Sequence, residues 1–265
     1  LSEIIFTNYK DLINFFVTSL LIFSLGFLDD KLNISASKKF LIISIIIISN
    51  LIFDDTLNIK IIRFSFLEKN FQLSQYYIIF TCFCFLVFLN AFNMFDGINL
   101  QSGSYSIIVF SNILYFYTDS LLIKIILISI FTFLYLNMRN KSFLGDSGSL
   151  LIAFIIGYFF IKLYNSEQII YSDEVVIYML VPGIDLIRLF FKRLSLRRNP
   201  LSSDRFHLHH LLMLKFSFKI TILILIALIL LPIFMSNFGL NNFFVILIFI
   251  FAYSILMFFL SAKKS

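Results

Sequence analysis

The chain has 265 residues, 60% of them hydrophobic and 14% charged, with a mean hydropathy of +0.97 and a formal net charge of +6. Those values exclude a soluble domain and predict an all-α, polytopic membrane helix bundle. The net charge matters only through its placement, and no nucleic-acid partner is expected. The two cysteines, Cys82 and Cys84, lie inside one apolar run, so neither a disulfide framework nor a thiolate metal site is expected.

Taken in chain order, the apolar runs predict about nine transmembrane helices, at 12–28, 38–53, 76–95, 104–118, 121–138, 148–164, 175–191, 216–235 and 243–260. Several fall below the roughly 20 residues a span prefers, the second most obviously, and Lys38 and Lys39 at its start are expected to snorkel. Alternate crossings put segments 29–37, 96–103, 139–147 and 192–215, with the C-terminus, on one side. Twelve Lys and Arg fall there, from Lys31 to Lys264, against Lys10, Lys60, Arg63 and Lys69 opposite. By the positive-inside rule the first side faces the cytoplasm. The chain begins at Leu1 without an initiator Met, and a single membrane domain over 1–265 with a truncated N-terminus is expected.

Four polar clusters land on that cytoplasmic side. Asp29 and Asp30 close the first span, and adjacent carboxylates beside a low-dielectric phase call for a compensating cation such as Mg²⁺, or simply form a solvated helix end. Asn90, Asn93 and Asp96 recur every third residue and share roughly one helical face, before Gly97 ends the helix and Asn99 follows. They serve either a lipid-facing reaction site or interhelical hydrogen bonding. Asp146, in Phe143-Leu-Gly-Asp-Ser-Gly-Ser149, stands where a helix N-cap or a phosphate site would form. Arg205, His207, His209 and His210 lie in the longest cytoplasmic loop. No Cys or distant His completes a zinc site there; imidazole with guanidinium suits a diphosphate, while a basic loop held by anionic lipid would explain the Arg and Lys but not the three His. Asp185 is an intramembrane acid and so a functional candidate, or the partner of Arg188.

In order and spacing, Leu25-Gly-Phe-Leu-Asp-Asp30, Asn90-Ala-Phe-Asn-Met-Phe-Asp-Gly97, Phe143-Leu-Gly-Asp-Ser-Gly-Ser149 and Asp204-Arg-Phe-His-Leu-His-His210 resemble the polyprenyl-phosphate N-acetylhexosamine-1-phosphate transferases. The likeness is greatest to the branch that uses N-acetylglucosamine and undecaprenyl phosphate. The resemblance implies transfer of N-acetylhexosamine-1-phosphate from a UDP-sugar to polyprenyl phosphate, with release of UMP, as the first membrane step of a cell-envelope polysaccharide. It implies Mg²⁺, with Mn²⁺ as a substitute, and a bacterial cytoplasmic membrane enzyme whose active site faces the cytoplasm; a homodimer stays open. By the same resemblance Asp29 acts on the lipid phosphate and Asp30 and Asp146 belong with the metal. Asp96 goes with the nucleotide-sugar site and His207, His209 and His210 with its phosphates; Asp29, Asp30 and Asp96 are the expected catalytic acids, and Asn90, Asn93, Asn99 and Arg205 are expected to bind substrate.

Two departures stand out. The family pattern Asp-Gly-x-Asp-Gly-Leu reads Asp96-Gly97-Ile98-Asn99-Leu100 here, so one carboxylate and one glycine are missing. The family also usually carries two helices before the Asp-Asp span. A transporter is the alternative from another class, although its ionisable groups would sit near the bilayer midplane. Another Mg-dependent membrane phosphotransferase, of the CDP-alcohol type, lacks its Ala-Arg continuation after Asp96-Gly97.

Overall fold

A computed structural model describes residues 6, 8–197 and 206–261. Ten α-helices occur among them: α1 Tyr9–Leu32, α2 Ala36–Phe53, α3 Tyr77–Phe95, α4 Gln101–Phe116, α5 Leu121–Met138, α6 Gly145–Asn165, α7 Ser172–Ser195, α8 Leu208–Lys215, α9 Phe218–Asn237 and α10 Asn242–Ser261. Strands β1 Ile61–Ile62 and β2 Phe71–Gln72 form a small antiparallel hairpin between α2 and α3. All nine predicted spans are helical, and seven helices are long and apolar enough to cross a membrane. The other two are α4, with 16 residues, and α7, whose 24 residues include Asp173, Glu174, Asp185, Arg188, Lys192 and Arg193. At 1.5 Å per residue α4 reaches only about 24 Å, short of a typical hydrocarbon core. Neither the hairpin nor α8 is legible in the apolar runs, because both are shorter than a span.

The helix ends follow local chemistry. Asn8 caps α1 by accepting from the Asp11 N–H at 2.9 Å, and α1 stops at Asn33, whose φ of 50° is left-handed. Inside the bilayer the backbone has no water to bond, so the helical ladder is obligatory.

The central element is α6. Of its membrane-length window 72% is buried, against 22% for α2, α5 and α10, which face the surroundings with apolar side chains. It packs on α1, α3 and α4. Phe15, Phe85, Phe154 and Tyr158 interlock there, with Phe15 and Tyr158 ring centroids 4.7 Å apart. Gly26 of α1 lets the two backbones meet near the start of α6; a Cβ there would overlap Ser147 Cα and the Asp146 carbonyl. That close crossing sets the Asp29–Asp30 end of α1 against the Asp146 end of α6.

Two lysines close the packing of α1, α2 and α6, one at each end. Lys162 of α6 lies 3.1 Å from Asp54 and 4.0 Å from Asp11, all buried. Lys39 of α2 does the corresponding work at the other end, among the predicted site residues.

Candidate active site

Asp29 is buried at the last turn of α1, where Oδ1 accepts the Ile34 N–H at 2.7 Å. Its Oδ2 receives Lys39 Nζ at 2.6 Å, and the same ammonium lies 2.6 Å from Asp146 Oδ2. Lys39 therefore does not snorkel to water, as the sequence reading expected; it is 15% exposed and held between two carboxylates from other helices. In a low-dielectric setting two close anions require such a cation. A lysine one turn into an apolar span, opposite two acidic motifs, was the available signal.

Asp30 turns the other way. Its two carboxylate oxygens accept the backbone N–H groups of Asp146 at 2.8 Å and Ser147 at 3.1 Å, so it caps α6 across the helix crossing. Gly145, at φ +66°, makes the turn that aims those N–H groups, and its hydrogens face the Asp30 carboxylate. Asp146 is itself in the first turn of α6, and Asn93 of α3 donates to its Oδ1 at 2.9 Å and to Ser149 Oγ at 2.8 Å. Asn90, on the same face, turns its amide back to the Leu86 carbonyl at 2.8 Å and does not line the cavity described next.

Asp96 follows the last residue of α3 and accepts from the Ser102 hydroxyl of α4. Asp96 and Asp146 both line a cavity of about 280 Å³, together with Asn93, Gly97, Asn99 and Asn137. Burial raises the Asp96 carboxyl to about 6; the Ser102 hydroxyl opposes that rise and the charge of Asp146 adds to it. Asn99, standing where the family pattern has an acid, donates to Asn140 Oδ1 at 2.5 Å and accepts from Asn137 at 3.2 Å. It thus joins the α3–α4 turn to the α5–α6 turn. Leu100, at the missing glycine, adopts φ +69°, the left-handed region that glycine enters without strain.

The histidines fold back onto the bundle. Asp185 of α7 faces His207 Nδ1 at 2.9 Å and takes the Leu208 N–H at 3.2 Å, which fixes the start of α8. The Asp185–Arg188 pairing is also present at 2.6 Å, and the Tyr253 hydroxyl of α10 donates to Asp185 at 2.7 Å. His209 stacks 5.5 Å from His207 and packs edge-on to His210 at 4.2 Å. A Cβ on Gly97 would overlap the His209 ring, so this histidine forms part of the wall behind Asp96. Burial, then the neighbouring His210 and His207, push His209 down to about 3, against the pull of Asp185; it is neutral near pH 7. Its Nε2 is buried and makes no hydrogen bond. Arg205 lies outside the described residues.

Among the described residues no group of three or more His, Cys, Asp or Glu side chains is arranged to hold a metal ion. Mg²⁺ needs fewer, since it keeps several waters and is completed by one or two carboxylates and substrate phosphates. Asp96 and Asp146, two carboxylates on one polar cavity, fit that requirement. Asn137 and the pairing role of Lys39 were not legible in the sequence, because Asn137 meets Asn99 and Leu100, and Lys39 meets Asp146, across long stretches of chain.

The model of glycosyl transferase family 4 matches residues 12–164, more than half of the chain. The chain belongs to that family. The match takes in Asp29, Asp30, Asp96 and Asp146, and stops before the histidines. An undecaprenyl-phosphate alpha-N-acetylglucosaminyl 1-phosphate transferase of Salmonella typhi is 30% identical over 145 residues, covering 50% of this chain and 40% of that protein. The Escherichia coli K12 protein of the same description is 29% identical over the same length and coverage. A Bacillus subtilis protein described as a probable undecaprenyl-phosphate N-acetylglucosaminyl 1-phosphate transferase is 29% identical over 208 residues, 74% of this chain and 57% of its own. The matched part thus spans 40% to 57% of these relatives. This family 4 chain is a multi-pass membrane protein, with seven apolar helices of spanning length among its described residues.

Proposed function

We propose that the chain transfers N-acetylglucosamine-1-phosphate from its UDP derivative to undecaprenyl phosphate, releasing UMP. The observation that carries this reading is the convergence of Asp96 and Asp146 on one polar cavity beside membrane-spanning helices. Family membership and the relatives' activities support the same chemistry. The excess of Lys and Arg on that side supports a site facing the cytoplasm, in a bacterial inner membrane.

In this reading Asp96 and Asp146 would hold Mg²⁺, or Mn²⁺ in its place, and the ion would supply charge neutralisation on the diphosphate. An oxygen of the lipid phosphate attacks the β-phosphorus of the UDP-sugar. The bond from that phosphorus to the bridging oxygen breaks, and UMP leaves with that oxygen. Asp29 accepts any proton remaining on the lipid phosphate, and Lys39, now shared by Asp29 and Asp146, turns one N–H toward the incoming phosphate. Asp30 acts as a positioning residue: by capping α6 it aims Asp146. Asn93 fixes the Asp146 carboxylate, and Asn99 orients the turn that carries Asp96. His207, His209, His210 and Arg205 provide donors for the diphosphate, with His207 and α8 set by Asp185. Little covalent work is required of the protein; positioning and charge do most of it.

The test is UMP release by the full chain in detergent with undecaprenyl phosphate, UDP-N-acetylglucosamine and Mg²⁺. Asp146→Asn should lower the rate by at least a hundredfold with the fold intact. UMP release that needs no lipid phosphate, or survives Asp146→Asn, would sink the assignment.

A further inference from the structure

The loop between α2 and α3 lies at the end of the bundle opposite the candidate site and carries the β1–β2 hairpin. Its tip, Phe64-Ser-Phe-Leu67, is a turn closed by the Leu67 N–H on the Phe64 carbonyl at 3.2 Å. The bundle holds that turn firmly. The Ser65 N–H and hydroxyl donate to the two oxygens of buried Asp173 in α7, at 2.8 and 2.6 Å. The Arg63 N–H donates to the Tyr164 hydroxyl of α6 at 2.8 Å. Phe66 and Leu67 are nevertheless 39% and 43% exposed.

A plain account covers part of this arrangement. A two-stranded hairpin is marginal by itself and needs an apolar face to pack, and the Phe64 ring lies 5.3 Å from Phe66 and 6.3 Å from Phe71. That packing does not account for the depth at which Phe66 stands. Its ring centroid is 4.8 Å from that of Phe243, the second residue of α10. The 20 residues of α10 make about 30 Å of helix, the thickness of a typical hydrocarbon core. Its first turn therefore stands where acyl chains meet head groups, and Phe66 shares that level. Phe244, the next residue of α10, is exposed as well and continues the apolar surface along the helix. Glu68, Lys69 and Asn70 follow Leu67 and are all exposed. One acid and one base give the tip no net charge, so it favours neither an acidic nor a basic partner. An apolar pair followed by a polar turn is the profile of a segment lying across the head-group boundary.

We propose that the hairpin tip is an interfacial anchor. Phe66 and Leu67 lie among the head groups and first acyl carbons of the leaflet opposite the candidate site, with Glu68, Lys69 and Asn70 in water. The partner of this surface is phospholipid, without preference for head-group charge. The anchor reaches the bundle through Asp173 and Tyr164, which tie the tip to the start of α7 and the end of α6. Because α6 carries Asp146 at its other end, a fixed height for the tip is a fixed height for that carboxylate.

The chain contains no Trp, so one introduced indole reports from one place. The experiment uses the full chain with F66W, L67W, E68W or F251W in phosphatidylcholine nanodiscs. Quenchers are bromine on the acyl chain, either close to the head group or near the chain end, and iodide in solution. Phe251, exposed near the middle of α10, supplies the mid-bilayer reference. F66W and L67W should be quenched at least twofold more by bromine close to the head group than by bromine near the chain end. F251W should show the reverse order, and E68W should be quenched by iodide. Phe66 and Leu67 are replaced separately, so a variant that fails to fold leaves the other to decide. Iodide quenching of F66W and L67W as strong as that of E68W overturns the proposal, since the tip would then stand in water, open to a soluble partner. Shielding from both bromine and iodide also overturns it, and a dimeric mass by native mass spectrometry would then identify a second copy as the cover. None of these readouts needs turnover, so the outcome is independent of the proposed reaction.

Discussion

Lys39 and Asp146 are 107 positions apart in the chain, yet Nζ of one lies 2.6 Å from Oδ2 of the other. The same ammonium touches Asp29, so one lysine holds together the two acids that a cation would otherwise have to neutralise. Lys39→Met leaves those carboxylates facing one another without a counterion. UMP release should fall at least tenfold, and Mg²⁺ should raise the melting temperature of the variant more than that of the wild type. Fluorimetric melts with and without Mg²⁺ decide this, since equal shifts would show that the ammonium does not stand in a cation's place.

Gly97 and His209 make the second contact between distant segments. Because a Cβ at Gly97 would overlap the imidazole, Gly97→Ala should move His209 off the cavity wall and lower UMP release by tenfold or more. His209→Ala alone should also lower the rate. The double variant should then be no worse than His209→Ala, because the space the new methyl needs is vacant. Additive losses would mean that Gly97 acts through its backbone instead.

Leu100 offers a test of backbone strain. Its φ of 69° belongs to a region costing a side-chain-bearing residue on the order of 1 kcal/mol relative to glycine. Replacement by Gly and by Ala removes every Leu side-chain atom beyond Cβ in both, so most of the packing loss cancels between the two variants. Leu100→Gly should be more stable than Leu100→Ala by about 1 kcal/mol, the reverse of the order inside a helix. Denaturant titration in mixed micelles measures the difference.

His209 also predicts a dependence on pH. Its imidazole is held down to about 3 in the fold, below the ordinary value near 6.5, so only the unfolded chain takes up this proton as the solution becomes acid. The stability it contributes is full above about pH 6.5 and lost as pH falls toward 3. Between pH 7.5 and 5.5 the loss is about 1.4 kcal/mol from this group. The wild type should lose that much more stability than His209→Gln over the same interval. Equal slopes would place His209 in water.

The long helices, their alternation and the clustering of four polar motifs at one end were legible in the sequence alone. Hydrophobic runs long enough to cross lipid have one way to satisfy their backbone, and that constraint is local. The motifs likewise announced their chemistry, because Asp-Asp, Gly-Asp and His-x-His-His keep their residue types whatever the packing. The division of labour among them was not legible. That Asp30 caps α6 while its neighbour Asp29 grips Lys39 depends on the α1–α6 crossing at Gly26, which no local pattern encodes. The use of Asp185 to seat His207, and of Gly97 to admit His209, requires α3, α7 and α8 to be brought together first. A carboxylate's role is set by the nearest cation or N–H group, and in a bundle that partner comes from another helix.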